Sequence, residues 1–137
     1  MKTKKPLRII IADDDTDDLQ YLNFLFKNHK GFEIIGCLTS GKAVLDTMEH
    51  PGGVPDVLLI DMYMPIMTGS EVANILLENS NFSNMAIFIV SGAINRIEVE
   101  RFKGRVHFLA KPTSLVQITD LPEVLLQKMN AGNVNWI

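Results

Sequence analysis

Five of the 16 acidic residues crowd into one short stretch: Asp13, Asp14, Asp15, Asp17 and Asp18. A further aspartate, Asp61, ends the apolar run Val57-Leu58-Leu59-Ile60. Ser91-Gly92 ends a second such run, and Lys111 ends a third. Carboxylates gathered in one place raise each other's pKa unless a cation is present. A hard divalent ion with oxygen ligands answers that, and Mg²⁺ fits best, since it keeps waters and uses one or two carboxylates plus a phosphate. Lys111 adds a compact ammonium suited to a phosphoryl oxygen. Ser91 adds a hydroxyl donor, and Gly92 beside it lets a ligand approach the backbone closely. Such a set is equipped for phosphoryl chemistry, which runs on positioning and charge neutralisation. Asp61 is then the nucleophile, and the product is an aspartyl-phosphate. Taken singly, each residue has a plainer reading. An Asp-Asp pair is commonly a helix cap or a solvated loop, and Lys-Pro is often just a stop. What carries the argument is their joint placement.

That placement depends on the elements. Residues 7–12 (Leu-Arg-Ile-Ile-Ile-Ala) are a short β-branched apolar run and read as a buried strand ending at the aspartates. Residues 16–27 bring Leu19, Leu22, Leu25 and Phe26 to helical spacing, with Asp17 and Asp18 in the first turn and Gly31 as a stop. Residues 32–38 read as a second strand. Ser40 caps a helix over 41–49 with Val44, Leu45 and Met48 inward. Residues 57–60 are the third strand. A helix over 70–78 follows, with Val72, Ile75 and Leu76 inward. Strands over 86–90 and 106–110 flank a short polar helix over 95–103. Pro122 suits the start of a last helix ending near Asn130.

Five strands alternating with five helices, each strand apolar throughout, predict a doubly wound parallel sheet covered on both faces, with right-handed crossovers. Ligand sites in such sheets form at the carboxyl ends of the strands. Asp13-Asp14, Asp61, Ser91 and Lys111 all end strands, so one edge collects them.

Composition sets the outer bounds. The 137 residues make one domain, 47% hydrophobic and 21% charged, with a net charge of −3. That balance argues against a basic nucleic-acid binder. A single cysteine, Cys37, excludes an internal disulfide and suggests a reducing, cytoplasmic setting. The apolar runs are too short to insert in a membrane. Cys37 itself reads as a small core residue. Residues 1–6 read as a frayed head, 7–130 as the domain and 131–137 as a tail.

The ordered motifs resemble a response-regulator receiver domain of the CheY-like family. They are Ile9-Ile10-Ile11-Ala12-Asp13-Asp14-Asp15, Asp56-Val57-Leu58-Leu59-Ile60-Asp61-Met62-Tyr63-Met64-Pro65, Gly69, Ile89-Val90-Ser91-Gly92 and Phe108-Leu109-Ala110-Lys111-Pro112. The resemblance spans nearly the whole chain. It implies a flavodoxin-like, three-layer fold with strand order 2-1-3-4-5. It implies that Asp61 accepts a phosphoryl group from a phosphohistidine on a sensor histidine kinase or a histidine phosphotransfer protein. By the same resemblance, Asp14 and Asp61 ligate Mg²⁺ directly, the Tyr63 backbone carbonyl is a third ligand and Asp13 acts through bound water. The triple aspartate leaves the register open by one residue; a strand ending at Ala12 favours Asp13 and Asp14. Lys111 pairs with a phosphoryl oxygen and precedes a cis bond to Pro112. Ser91 swings to the phosphate, and Phe108, at the aromatic switch position, turns inward with it.

The departures are specific. Tyr63 puts a bulky ring where attacking water would pass. Phe108 lacks a hydroxyl, so a tyrosine-type switch bond is absent. The span from Ser91 to Lys111 is short, and the connection over 113–121 is long. Arg96, Arg101, Lys103 and Arg105 lie on or beside the fourth helix, near the face receivers use for partners or for a phosphorylation-dependent homodimer; a solvated face is the better reading. His29, His50 and His107 form no metal spacing, and Met62, Met64 and Met67 read as adaptable packing.

A haloacid-dehalogenase-like phosphatase would need a second aspartate where Tyr63 stands. A flavodoxin would need a phosphate loop where Asp13-Asp14-Asp15 would repel one. A receiver-like module without phosphorylation would not need every site position filled. The expectation is therefore a stand-alone, phosphorylation-activated switch, not a turnover enzyme, acting on an unidentified downstream protein.

Overall fold

The computed structural model describes residues 5–111 and 120–130. Five strands form one parallel sheet in the order β2-β1-β3-β4-β5: β1 Leu7–Ala12, β2 Phe32–Leu38, β3 Val57–Asp61, β4 Ala86–Ser91 and β5 His107–Ala110. The helices among the described residues are α1 Thr16–Lys27, α2 Gly41–Met48, α3 Gly69–Leu77, α4 Arg96–Arg101 and α5 Leu121–Asn130, with a 3-10 turn at Ser80–Phe82. The flavodoxin-like order expected from the motifs is the order observed.

The continuous apolar strands are explained by what covers them. Side chains alternate across a strand. Ile10, Leu58, Ile60, Ile87 and Ile89 therefore face Val44, Val72 and Leu76 on one side of the sheet. Ile9, Ile11, Leu59 and Phe88 face Leu19, Phe26, Leu121 and Leu125 on the other. Both faces are buried, so β3 is buried at every position, Asp61 included.

Several helix starts follow directly from side-chain chemistry. Asp15 caps α1, accepting from the Asp17 and Asp18 N–H groups at 2.9 and 3.1 Å. Ser40 caps α2, accepting from Ala43 N–H at 3.1 Å. Thr68 and Glu71 form a reciprocal capping box at α3, satisfying two orphan donors.

Some expectations need correction. Ile75 is 46% exposed; the inward stripe of α3 is Val72, Ala73 and Leu76. Val72 and Ala73 lie four and three residues before Leu76 on one helical face, and it is this face, not the one carrying Ile75, that packs on the core. Cys37 is exposed as well, because β2 is an edge strand; its Sγ lies 3.4 Å from Asn23 Oδ1. The stop of α1 is made by Asn28, whose Nδ2 donates to Phe24 O at 2.8 Å, three residues before Gly31. α4 is only six residues long, and the chain leaves it through Lys103 and Gly104, both at positive φ. The cis bond to Pro112, the tail over 131–137 and nearly all of the 113–121 connection lie outside the described residues.

Candidate functional site

The carboxyl edge of the sheet gathers the charged residues. Asp13 follows β1 directly and is 3% exposed. Its N–H donates to Leu38 O at 3.0 Å, and its Oδ1 accepts from Asp15 N–H at 3.0 Å. Asp61 is the last residue of β3 and is 8% exposed. Beyond it, Met62 N–H donates to Val90 O and Gly69 N–H donates to Met62 O, both at 2.8 Å, folding the loop back onto the strand end. A Cβ on Gly69 would lie 2.7 Å from the Asp61 carbonyl oxygen, so this closure needs a glycine.

Asp14 is exposed, yet Asp13, Asp14 and Asp61 can each offer an oxygen within 4.8 Å of the others. Hard oxygen donors at that spacing suit a Mg²⁺ ion. Without one, the pocket works against its own charges. Burial, then repulsion from Asp13, pushes Asp61 up to about 6 against the pull of Lys111. Burial raises Asp13 as well. For Lys111, burial opposes the charged form, but Asp61 and Asp18 outweigh it and the ammonium is held more firmly protonated.

Lys111 is placed by strand pairing: Ser91 sits opposite Ala110, and Lys111 N–H donates to Ser91 O at 2.8 Å. Its Nζ lies 3.3 Å from Asp18 Oδ2 and 3.9 Å from Asp61 Oδ1. Ser91 is 1% exposed, and its Oγ donates to Ala93 O at 2.8 Å while accepting from Ala93 N–H at 3.1 Å. A cleft of about 330 Å³ opens beside the set, bounded by Asp13, Asp18, Tyr21, Asp61 and Lys111.

The sequence matches the profile of the response regulator receiver domain over residues 9–122. The chain belongs to that family. The receiver is 32% identical over 124 residues to the transcriptional regulatory protein CitT of Bacillus subtilis, covering 88% of this chain and 51% of CitT. It superposes on the response regulator domain of Thermotoga maritima CheB with a TM-score of 0.73 at 23% identity, covering 95% of this chain and 98% of that one. The Mn²⁺-bound form of response regulator Rcp1 has the same fold, with a TM-score of 0.73 at 20% identity over 88% of this chain and 91% of that one. The receiver spans about a third to a half of the length of the curated relatives it matches.

Within the receiver, Asp13, Asp14, Asp61 and Lys111 converge as the motif order implied, and Ser91 ends the adjacent strand. Phe108 is 3% exposed, packed in the core with its ring 5.9 Å from that of Phe102, which is the inward position. Tyr63 stands 62% exposed beside the site. The sequence motifs do not point to Asp18: its position marks it only as a helix-start charge, yet its carboxylate lies nearer Lys111 than that of Asp61. The available signal was its place in the first turn of a helix that begins directly after the site strand.

Proposed function

We propose that this receiver is a phosphorylation-activated switch in which Asp61 is the phosphoacceptor. The observation that carries the reading is a buried strand-end carboxylate grouped with two others and faced by one lysine. In the transfer, an Asp61 carboxylate oxygen forms the new O–P bond as the P–N bond to the donor histidine breaks, and the imidazole leaves with the electron pair and takes up a proton. Asp14, Asp61 and the Tyr63 backbone carbonyl would hold Mg²⁺, and Asp13 would act through water. Bound there, Mg²⁺ supplies charge neutralisation for the phosphoryl oxygens. Lys111 pairs with a phosphoryl oxygen. Ser91 gives up Ala93 to bond the phosphate, and the buried Phe108 ring holds β5 against the core as it does so.

The donor is a sensor histidine kinase or a histidine phosphotransfer protein, and the output is contact with a downstream protein or a second copy of the chain. The reading places the receiver in the cytoplasm. No helix among the described residues is long and apolar enough to cross a membrane.

The test is intact-protein mass spectrometry after incubation with Mg²⁺ and a small phosphodonor, and with a phosphorylated histidine donor. One added phosphoryl group is expected, lost on chelation of the metal and in Asp61→Asn. An undiminished adduct in Asp61→Asn, or none with either donor, overturns the reading.

A further inference from the structure

Lys111 has two carboxylates in reach, and the nearer one is not the phosphoacceptor. Asp18 sits in the first turn of α1, and the cap at Asp15 that starts this helix sets where its carboxylate stands, across the cleft from β5. A lysine head on a flexible four-carbon stem gives up considerable rotamer freedom when it is held. With 40% of the Lys111 side chain exposed, partners on either side of the ammonium are what restrict it.

We propose that Asp18 is a positioning residue for phosphoryl transfer, holding the Lys111 ammonium beside Asp61 where the phosphoryl oxygens arrive. This rests on the phosphoacceptor reading of Asp61. An ammonium has three donors, so Lys111 keeps Asp18 while offering another hydrogen to a phosphoryl oxygen. The bland alternative is that Asp18 only adds negative charge. The two ideas predict opposite signs. Removing a negative charge speeds reaction with an anionic donor, whereas removing a positioning residue slows it. Asp17 supplies the control. It is exposed, borders the same cleft and carries the same charge.

The experiment measures the rate of adduct formation with Mg²⁺ and acetyl phosphate, across donor concentrations, for wild type, Asp17→Asn, Asp18→Asn and Asp18→Glu. Asp18→Asn should fall about tenfold at saturating donor, well short of the hundredfold cost of gross misplacement. Asp18→Glu should recover most of that, and Asp17→Asn should match or exceed wild type. An Asp18→Asn rate equal to that of Asp17→Asn, or no recovery in Asp18→Glu, overturns the proposal. A second readout needs neither metal nor phosphoryl group: acylation of Lys111 by an amine-reactive ester, followed by peptide mass spectrometry. Labelling should rise severalfold in Asp18→Asn and stay level in Asp17→Asn; equal labelling in both overturns the tether. If wild type takes up no phosphoryl group, the reading of Asp61 fails while the labelling still decides whether Asp18 holds Lys111.

Discussion

The two ends of the sheet treat charge in opposite ways. At the amino end, Arg8 at the start of β1 is satisfied from several sides. Its N–H donates to Asp56 Oδ2 at 2.9 Å, Nη1 donates to Val54 O at 3.0 Å and Nη2 donates to Gly52 O. Asp56 closes the arrangement through its own backbone, donating to Arg8 O and accepting from Ala86 N–H. At the carboxyl end, three carboxylates share a space with one partly exposed lysine. The first arrangement holds strands together; the second weakens the metal-free fold and is intelligible as a site kept ready for a cation. Titration follows the same division. Burial, with Lys128 adding repulsion, lowers His107 at the start of β5 to about 4, while burial and Asp13 raise Asp61 to about 6. His107 thus supports the fold above pH 6.5 and loses that contribution as pH falls towards 4. Asp61 does the reverse: its cost is absent below about pH 4, grows as pH rises, and is fully present above 6.

The contrast can be broken most forcefully at Arg8. Arg8→Ala removes both guanidinium bonds, of which the one to Val54 O is part-buried and the one to Gly52 O is exposed to water, so urea unfolding should show a loss of about 2 kcal/mol; a loss under 0.5 kcal/mol would place the amino end on the same footing as an ordinary surface. Asp61→Asn should act in the opposite direction. It should stabilise the metal-free protein by on the order of 2 kcal/mol at pH 7, with the gain gone by pH 4. Adding Mg²⁺ should stabilise wild type and stabilise Asp61→Asn much less. A pH-independent gain would refute the electrostatic explanation. The smallest effect expected is at Ile66, a fully exposed β-branched residue at φ 74° in the loop after Asp61. Ile66→Gly should raise stability by about 1 kcal/mol in thermal unfolding, since a β-branched side chain pays for that backbone and glycine does not.

Much of this was legible in the residues. The bounds of α1 and β2 coincide with those read from apolar spacing and caps, and the strand-end aspartates gave away the site because parallel sheets put chemistry at that edge. What was missed has physical reasons. Whether Cys37 is covered depends on which strand ends up at the edge, a property of the whole sheet and not of residues 32–38. Ile75 has the right spacing for burial, but α3 turns the small Ala73 inward instead. Asp18 belongs to α1 by sequence and to Lys111 by space, and only the fold connects the two.

On the phosphoacceptor reading of Asp61, Ser91 would make the site resistant to accidental triggering. Its hydroxyl is already used twice by Ala93, as donor and as acceptor. Recruiting it elsewhere gives up a made bond worth about 1 kcal/mol, a roughly fivefold bias in population. That bias is a noise margin. A passing anion that offers one weak contact would not exceed it, whereas a phosphoryl group held covalently on Asp61, fixed in place, would.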